Sequence, residues 1–454
     1  MSSASTPIRN PDLGSAPIMT KRAWWLVILN FVLPGSPQVL AGNHRLGRFG
    51  LGMTLTLLGL AVVVGVVYTL WPAVVLTVFT NSIGLWAVAL LLALYGVVWL
   101  ILSLDTLRLV RLVRATPSAR PVIAAFATLL MVGVVGTAGY GAYVATTASG
   151  FLSSIFMAGP TEPPSDGRYN ILLLGGDAGA DREGLRPDSI SVVSIDAETG
   201  KAEIIGLPRD LENFPFPAES PLASVYPDGY GSIDGCEVDV CMLNSVYTEV
   251  ELKSPEMYPQ AVADGSEPGI EGMRDAAQGI TGLTIQYYVL IDMQGFTALI
   301  DALGGVEITV TERLPIGGDE DFNNVDGWVE PGKQHMDGYT ALWFGRARHG
   351  SSDYDRMARQ RVLQEAILKQ FNPANVSTKF QAVAQAGQKV VKTDVPQGML
   401  GYFVDLAAKT KALPIGAVEL VPANNIDPED PDYDYIHQLI DTAVAPPAPE
   451  PPAP

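Results

Sequence analysis

Cysteine and histidine are nearly missing from this chain: 454 residues carry two cysteines and four histidines. The histidines, His44, His335, His349 and His437, are scattered, and Cys236 and Cys241 have none close by in sequence. Zinc chemistry, which needs three or four such ligands together, is therefore disfavoured. The chain also has no G-x-x-x-x-G-K-[ST] phosphate loop and no G-x-S-x-G elbow, which argues against P-loop nucleotide chemistry and against a serine triad. Positive charge is scarce where nucleic acid would need it. Residues 1–146 hold nine Lys/Arg against two Asp/Glu, a net +7, so the remainder carries −26 of the total −19. So acidic a portion speaks against nucleic acid and anionic membrane surfaces as general partners.

The first third is rich in uncharged runs. Residues 49–70, 73–104 and 121–145 each exceed or match the ~20 residues that cross a bilayer as a helix. The run 23–40 is broken by Pro34-Gly35-Ser36-Pro37 and reads as a re-entrant or interfacial hairpin, with a fourth span as the alternative. Arg108, Arg111, Arg114 and Arg120 face only Asp105 between the second and third long runs, and short loops rich in Lys/Arg stay in the cytoplasm. That orientation predicts a multi-pass protein of the cell membrane whose residues after about 147 lie outside. In an oxidising compartment Cys236 and Cys241, five apart, suit a small-loop disulfide, with a reduced pair as the alternative.

The external part alternates strands and helices, the mark of a two- or three-layer α/β fold. Residues 148–168 read as a linker. Tyr169–Leu174 is a buried strand ending in a Gly175-Gly176 turn, and 189–195 and 201–206 form a hairpin around Asp196–Gly200. Further strands are expected at 286–291 and 306–310, and helices at 296–303, 353–371 and 376–410. The segment 443–454 is Pro/Ala-rich and expected to be disordered.

Acids and arginines mark the strand ends. Asp177 follows the first strand, where α/β folds bind ligands, or serves simply as a turn residue. A hairpin turn centred on Glu198-Thr199 sets Asp188 opposite Arg209, and the period of two puts Arg186 on the same face. An exposed cross-strand salt bridge there is worth ~0.2–1 kcal/mol, but a second arginine exceeds what one acid neutralises and asks for an anion. The densest cluster is Arg346-Ala347-Arg348-His349 followed by Asp353-Tyr354-Asp355-Arg356 and Arg359-Gln360: four arginines within fourteen residues. Complementing a helix C-terminus and capping the next helix would explain them structurally. Arg356 and Gln360, four apart, share a helix face. The planar fork of arginine suits phosphate.

In order along the chain stand Ile171-Leu172-Leu173-Leu174-Gly175-Gly176-Asp177, Arg186-x-Asp188, Pro208-Arg209-Asp210, Leu243-Asn244-x-x-Tyr247, Asp301-Ala302-Leu303-Gly304-Gly305-Val306, Arg346-x-Arg348 and Asp353-x-x-Arg356-x-x-Arg359-Gln360. This succession resembles the LytR–CpsA–Psr family over roughly 169–372. The resemblance implies a central β-sheet flanked by helices behind an N-terminal transmembrane helical region. With the membrane, linker and tail readings above, the chain divides into a cytoplasmic tail (1–21), a membrane region (22–147), the linker (148–168), a catalytic domain (169–372), a C-terminal helical extension (373–442) and the Pro/Ala-rich tail (443–454).

The implied activity is a phosphotransferase that moves a glycopolymer from a polyprenyl (pyro)phosphate lipid onto peptidoglycan, assisted by Mg2+. Teichoic acid, arabinogalactan and capsule are the candidate polymers. By position, Asp177 and Asp188 would hold magnesium, and Arg186, Arg209, Arg346, Arg348 and Arg356 would grip the pyrophosphate. Gln360 would help order the site, and Asp353 would orient arginines or assist deprotonation of the acceptor. A lipid pyrophosphate phosphatase and a non-catalytic envelope regulator are the alternatives; the short cytoplasmic segments, without an output domain, count against the regulator.

Overall fold

A computed structural model describes residues 8–9, 11–156, 159–177, 186–233, 235–319, 321–347, 350–370 and 391–445. The chain divides into two compact units, Met1–Gly150 and Phe151–Pro454.

The first unit is helical. Helix α1 (Ala16–Val32) and the short α2 (Ser36–Ala41) are separated at the Pro34-Gly35 break. Gly35 is indispensable there: it has φ +96°, and a Cβ would stand 2.3 Å from the amide nitrogen of Leu51. Then follow α3 (His44–Leu70), α4 (Pro72–Phe79), α5 (Ser82–Val110) and α6 (Ala119–Ile155). Among the described residues three helical stretches, His44–Leu70, Ser82–Arg114 and Ala119–Ile155, are long and apolar enough to cross a membrane. The uncharged run 73–104 is not one helix. Asn81 splits it by accepting from the Ile83 amide at 2.9 Å and capping α5. The expected linker also begins later than 148, because α6 runs on through the apolar Phe151, Leu152 and Ile155, ahead of Pro160.

The second unit is built on a mixed six-stranded sheet. Its strands are β1 (Arg168–Asp177), β2 (Arg186–Asp196), β3 (Ala202–Gly206) and β4 (Tyr287–Asp292), joined by β9 (Val391–Thr393) and β10 (Gly416–Glu419) in the order β10-β3-β2-β1-β4-β9. The pairs β1/β4 and β3/β10 are parallel, while β1/β2, β2/β3 and β4/β9 are antiparallel. Successive side chains leave opposite faces of a strand. Leu172, Leu174, Ile190, Val192 and Ile205 therefore pack on one side with α7 (Val246–Lys253), α8 (Pro268–Thr281) and α13 (Tyr433–Val444). Tyr169, Ile171, Ile195 and Tyr287 pack on the other against Met399, Phe403 and Leu406 of α12 (Gln397–Lys411). Coverage on both faces explains why Ile171–Leu174 is an unbroken apolar run rather than an alternating one.

A second core closes around two small antiparallel pairs, β5 (Val306–Val310) with β8 (Gly332–Met336) and β6 (Leu314–Gly317) with β7 (Val325–Val329). Helices α9 (Met293–Leu303), α10 (Gly338–Arg346) and α11 (Asp353–Gln370) complete it through Ile300, Phe344 and Leu363.

The hairpin register is as expected, with Ser191 opposite Gly206 and Ile195 opposite Ala202. Asp196 closes its turn by accepting from the amide and hydroxyl of Thr199 at 2.7 and 2.8 Å. Three expectations need correction. Gly175-Gly176 is no turn: β1 continues to Asp177, and Gly175 permits close pairing, since a Cβ there would lie 3.0 Å from that of Ser189. Of the helical extension expected over 373–442, residues 373–390 lie outside the described residues, and the rest is not helical throughout, because β9 and β10 complete the central sheet. Of the helix expected over 376–410, residues 376–390 lie outside the described residues, and 391–393 pair with β4 as strand. At the C-terminal end α13 reaches Val444, and 446–454 lie outside the described residues.

Candidate active site

The site forms where β2 begins, where the chain leaves β3, and where α11 starts. The pairing of β1 with β2 slips between Gly175 and Gly176, which face Ser189 and Pro187, so Asp188 is the extra residue of a β-bulge. Bulges bend a strand and re-aim a side chain. Asp188 Oδ1 accepts from Arg209 Nη1 at 2.7 Å. The ladder of β3 stops at Gly206, yet Leu207 still donates to the Ile190 carbonyl at 3.0 Å and carries the hairpin register on toward Arg209. Arg209 Nε donates to Asp353 Oδ2 at 2.8 Å, and Arg356 Nη2 reaches the same oxygen at 3.4 Å and the Asp188 carbonyl at 3.3 Å. The result is a chain of alternating charge, Asp188–Arg209–Asp353–Arg356.

Burial grades this chain. The Asp188, Arg209 and Asp353 side chains are 25–29% exposed, whereas Arg356 is 2% exposed. Arg356 thus underlies the bulge and steadies it from below. Burial alone would lower the Arg209 guanidinium, but the two carboxylates outweigh it and hold its pKa above the ordinary arginine value. The backbone of Arg209 is fixed as well, its carbonyl accepting from the Asn244 amide at 3.0 Å.

Asp353 does not cap α11. Ser352 does, in a reciprocal box: Asp355 N donates to Ser352 Oγ at 3.1 Å, and Ser352 N donates to Asp355 Oδ2 at 2.8 Å. Asp353 is left to the arginines. Two turns on, Gln360 Nε2 donates to the Gly345 carbonyl at 3.2 Å. Arg359 donates to the carbonyls of Phe344 (3.0 Å) and Ala347 and to Ser351 Oγ (3.1 Å). These side chains satisfy carbonyls that the end of α10 leaves without helical partners. They hold the segment that follows Arg346. The spacing of Arg356, Arg359 and Gln360 at i, i+3 and i+4 signals such a shared face.

The remaining expected residues are placed differently. Asp177 ends β1 and pairs with Arg186, the first residue of β2. The bulge interrupts strict alternation, so period two does not carry the face of Asp188 across to Arg186. Burial, and then Glu249, push the Tyr230 phenol well above its ordinary range, and the charge of Arg186 opposes them only in small part. Arg346 lies at the end of α10, exposed, with its guanidinium 5.6 Å over the Trp343 ring and Nη1 3.2 Å from Met293 Sδ. Arg348 lies outside the described residues. Among the described residues no group of three or more His, Cys, Asp or Glu side chains is arranged to hold a metal. Cys236 and Cys241 are joined in a disulfide, Cα atoms 5.6 Å apart, against the larger core.

The LytR_cpsA_psr family model matches residues 146–426, which takes in the sheet, the bulge and α11. The chain belongs to the LytR–CpsA–Psr family. Among its relatives is the cell wall biosynthesis protein LcpA of Corynebacterium glutamicum, 26% identical over 257 residues, covering 49% of this chain and 45% of that protein. The polyisoprenyl-teichoic acid–peptidoglycan teichoic acid transferase TagU of Bacillus cereus is 26% identical over 234 residues, covering 51% and 62%. The chain spans about half the length of the curated relatives it matches. Among solved structures, B. subtilis TagV aligns with a TM-score of 0.43 at 17% identity over 61% of this chain and 97% of that one.

Proposed function

We propose that this family member transfers a glycopolymer from a polyprenyl (pyro)phosphate carrier to a sugar hydroxyl of peptidoglycan, outside the cytoplasmic membrane. The carrying observation is Arg209, clamped between Asp188 near the start of β2 and Asp353 at the start of α11. Phosphoryl transfer depends on positioning and charge neutralisation more than on covalent help from the protein. The acceptor oxygen would bond to the phosphorus that carries the polymer, and the bond from that phosphorus to the lipid-side oxygen would break. The lipid phosphate departs with the electron pair. Arg209 and the exposed Arg346 are the described cations suited to the developing charge, by paired N–H donors. Asp353 orients Arg209 and Arg356, and is the carboxylate to which the acceptor proton would pass.

The donor set suits magnesium. Asp177 ends β1 and Asp188 stands near the start of its ladder partner β2, so the backbone brings two hard-oxygen side chains to one end of the sheet. Magnesium favours one or two carboxylates with water and phosphate completing its shell. When bound by Asp177 and Asp188, it would neutralise pyrophosphate charge.

The membrane placement has its own support. Three apolar helical stretches and the arginine-rich 108–120 loop favour a multi-pass anchor with that loop inside and the second unit outside. The Cys236–Cys241 disulfide suits the same external compartment.

The test supplies purified lipid-linked polymer to the full chain with and without peptidoglycan. Transfer requiring peptidoglycan, and lost in Arg209→Lys, is the expected result. Release of the polymer by water at an equal rate without peptidoglycan would make the chain a phosphatase instead, and tight lipid binding with no turnover would make it a regulator.

A further inference from the structure

The transfer reading leaves the acceptor without a place to rest. Helix α10 supplies a candidate outside the charged chain. Its inner side is fixed by close packing: a Cβ on Gly338 would stand 2.0 Å from the Thr297 carbonyl of α9, and Ala341 and Phe344 are buried. Tyr339 and Trp343, four apart, consequently share the outer side. Tyr339 is 47% exposed and Trp343 is half-buried. Their rings meet edge-on, centroids 6.4 Å apart at 67°, forming an angled two-walled surface. Arg346 extends it over the Trp343 ring and touches Met293.

That contact ties the surface to the site. Met293 directly follows β4, whose last residue, Asp292, pairs in parallel with Gly176, next to Asp177. Through Met293 the aromatic surface thus reaches the end of β4, beside the end of β1.

Chemistry narrows the occupant. An acidic unit repels anionic partners in general, while two aromatic walls favour a ligand with an apolar face. A pyranose ring has both requirements: a C–H face that stacks on aromatic rings, and a rim of hydroxyls for the Arg346 donors and the Tyr339 hydroxyl. We propose that Tyr339, Trp343 and Arg346 form the subsite for the acceptor sugar, a neutral hexopyranose of the wall glycan strand. This rests on the transfer reading for its purpose, but not for its detection.

Two measurements on the full chain test it. The first titrates a β-1,4-linked N-acetylglucosamine tetramer against wild type, Tyr339→Ala, Trp343→Ala and Trp343→Phe, by calorimetry and with melts confirming the fold. Saturable binding is expected, weakened about tenfold or more in both alanine variants and largely kept by Trp343→Phe. The second measures transfer kinetics. The KM for peptidoglycan should rise about tenfold in Tyr339→Ala, while the donor KM and the kcat at saturating acceptor stay within about twofold. Tetramer binding that depends on these rings in a chain that transfers nothing would uphold the subsite and sink the transfer reading. Unchanged tetramer affinity and acceptor KM in folded Tyr339→Ala and Trp343→Ala would overturn the subsite, even with transfer intact.

Discussion

Replacing Arg209 by Met would remove the guanidinium that bonds the carboxylates of both Asp188 and Asp353, at 2.7 and 2.8 Å. At an effective dielectric of ~20, a pair at ~4 Å is worth about 4 kcal/mol before desolvation. Side chains 25–29% exposed recover part of that from water. Net values for hydrogen bonds to charged groups run about 1.5–3 kcal/mol each, and breaking a largely buried pair from one side costs about 3–5 kcal/mol. A loss of about 3–5 kcal/mol for the two bonds together follows. At about 2–4 °C per kcal/mol for a domain of this class, the melt of the second unit should fall by roughly 6–20 °C. Arg209→Lys keeps the charge but cannot fork to both acids, so its loss should be about half as large. The pKa of Arg209 is raised by folding. Its contribution is therefore complete below the ordinary arginine range and lost only above it, so the difference between wild type and variant should hold steady from about pH 7 to about pH 10. Fluorescence-detected melts of the full chain in detergent measure all three. If Arg209→Met melts within about 2 °C of wild type, the clamp contributes nothing and the charged chain is not a structural unit.

Asp196 is held below the usual carboxylate range: burial pushes upward, but its hydrogen bonds from Thr199 and Glu198 outweigh it. The stabilisation is present above that range and disappears as pH falls, so Asp196→Asn should melt lower than wild type at about pH 7 and converge with it near about pH 2; parallel curves would refute the assignment. Asp188→Asn should abolish transfer and its magnesium dependence, whereas wild-type activity that is indifferent to chelator would remove magnesium from the proposal. A reporter fused after Pro454 should work only outside the cytoplasm and one near Arg114 only inside; cytoplasmic activity of the C-terminal fusion would contradict the transfer reading.

Much of this site was legible in the sequence because its signals are local. The turn Asp196–Gly200 fixes where a hairpin folds back, and a period of two then carries the register to Asp188 and Arg209 without further information. Charge-free runs of membrane length need only composition, and the ordered motifs identify the family. Tertiary structure decided the rest. The slip that makes Asp188 a bulge arises from pairing with β1, and it changes what strict alternation would predict for Arg186. The Ser352–Asp355 cap is local, but that Asp353 meets Arg209, 144 residues away, is set by the fold. Arg356 is buried only because α11 lies across the start of β2. The short strands β9 and β10 have too few residues to show a periodicity, and their place in the sheet comes from β4 and β3, which are far away along the chain. Local spacing encodes turns, caps and registers; burial and long-range pairing depend on neighbours that the spacing does not name.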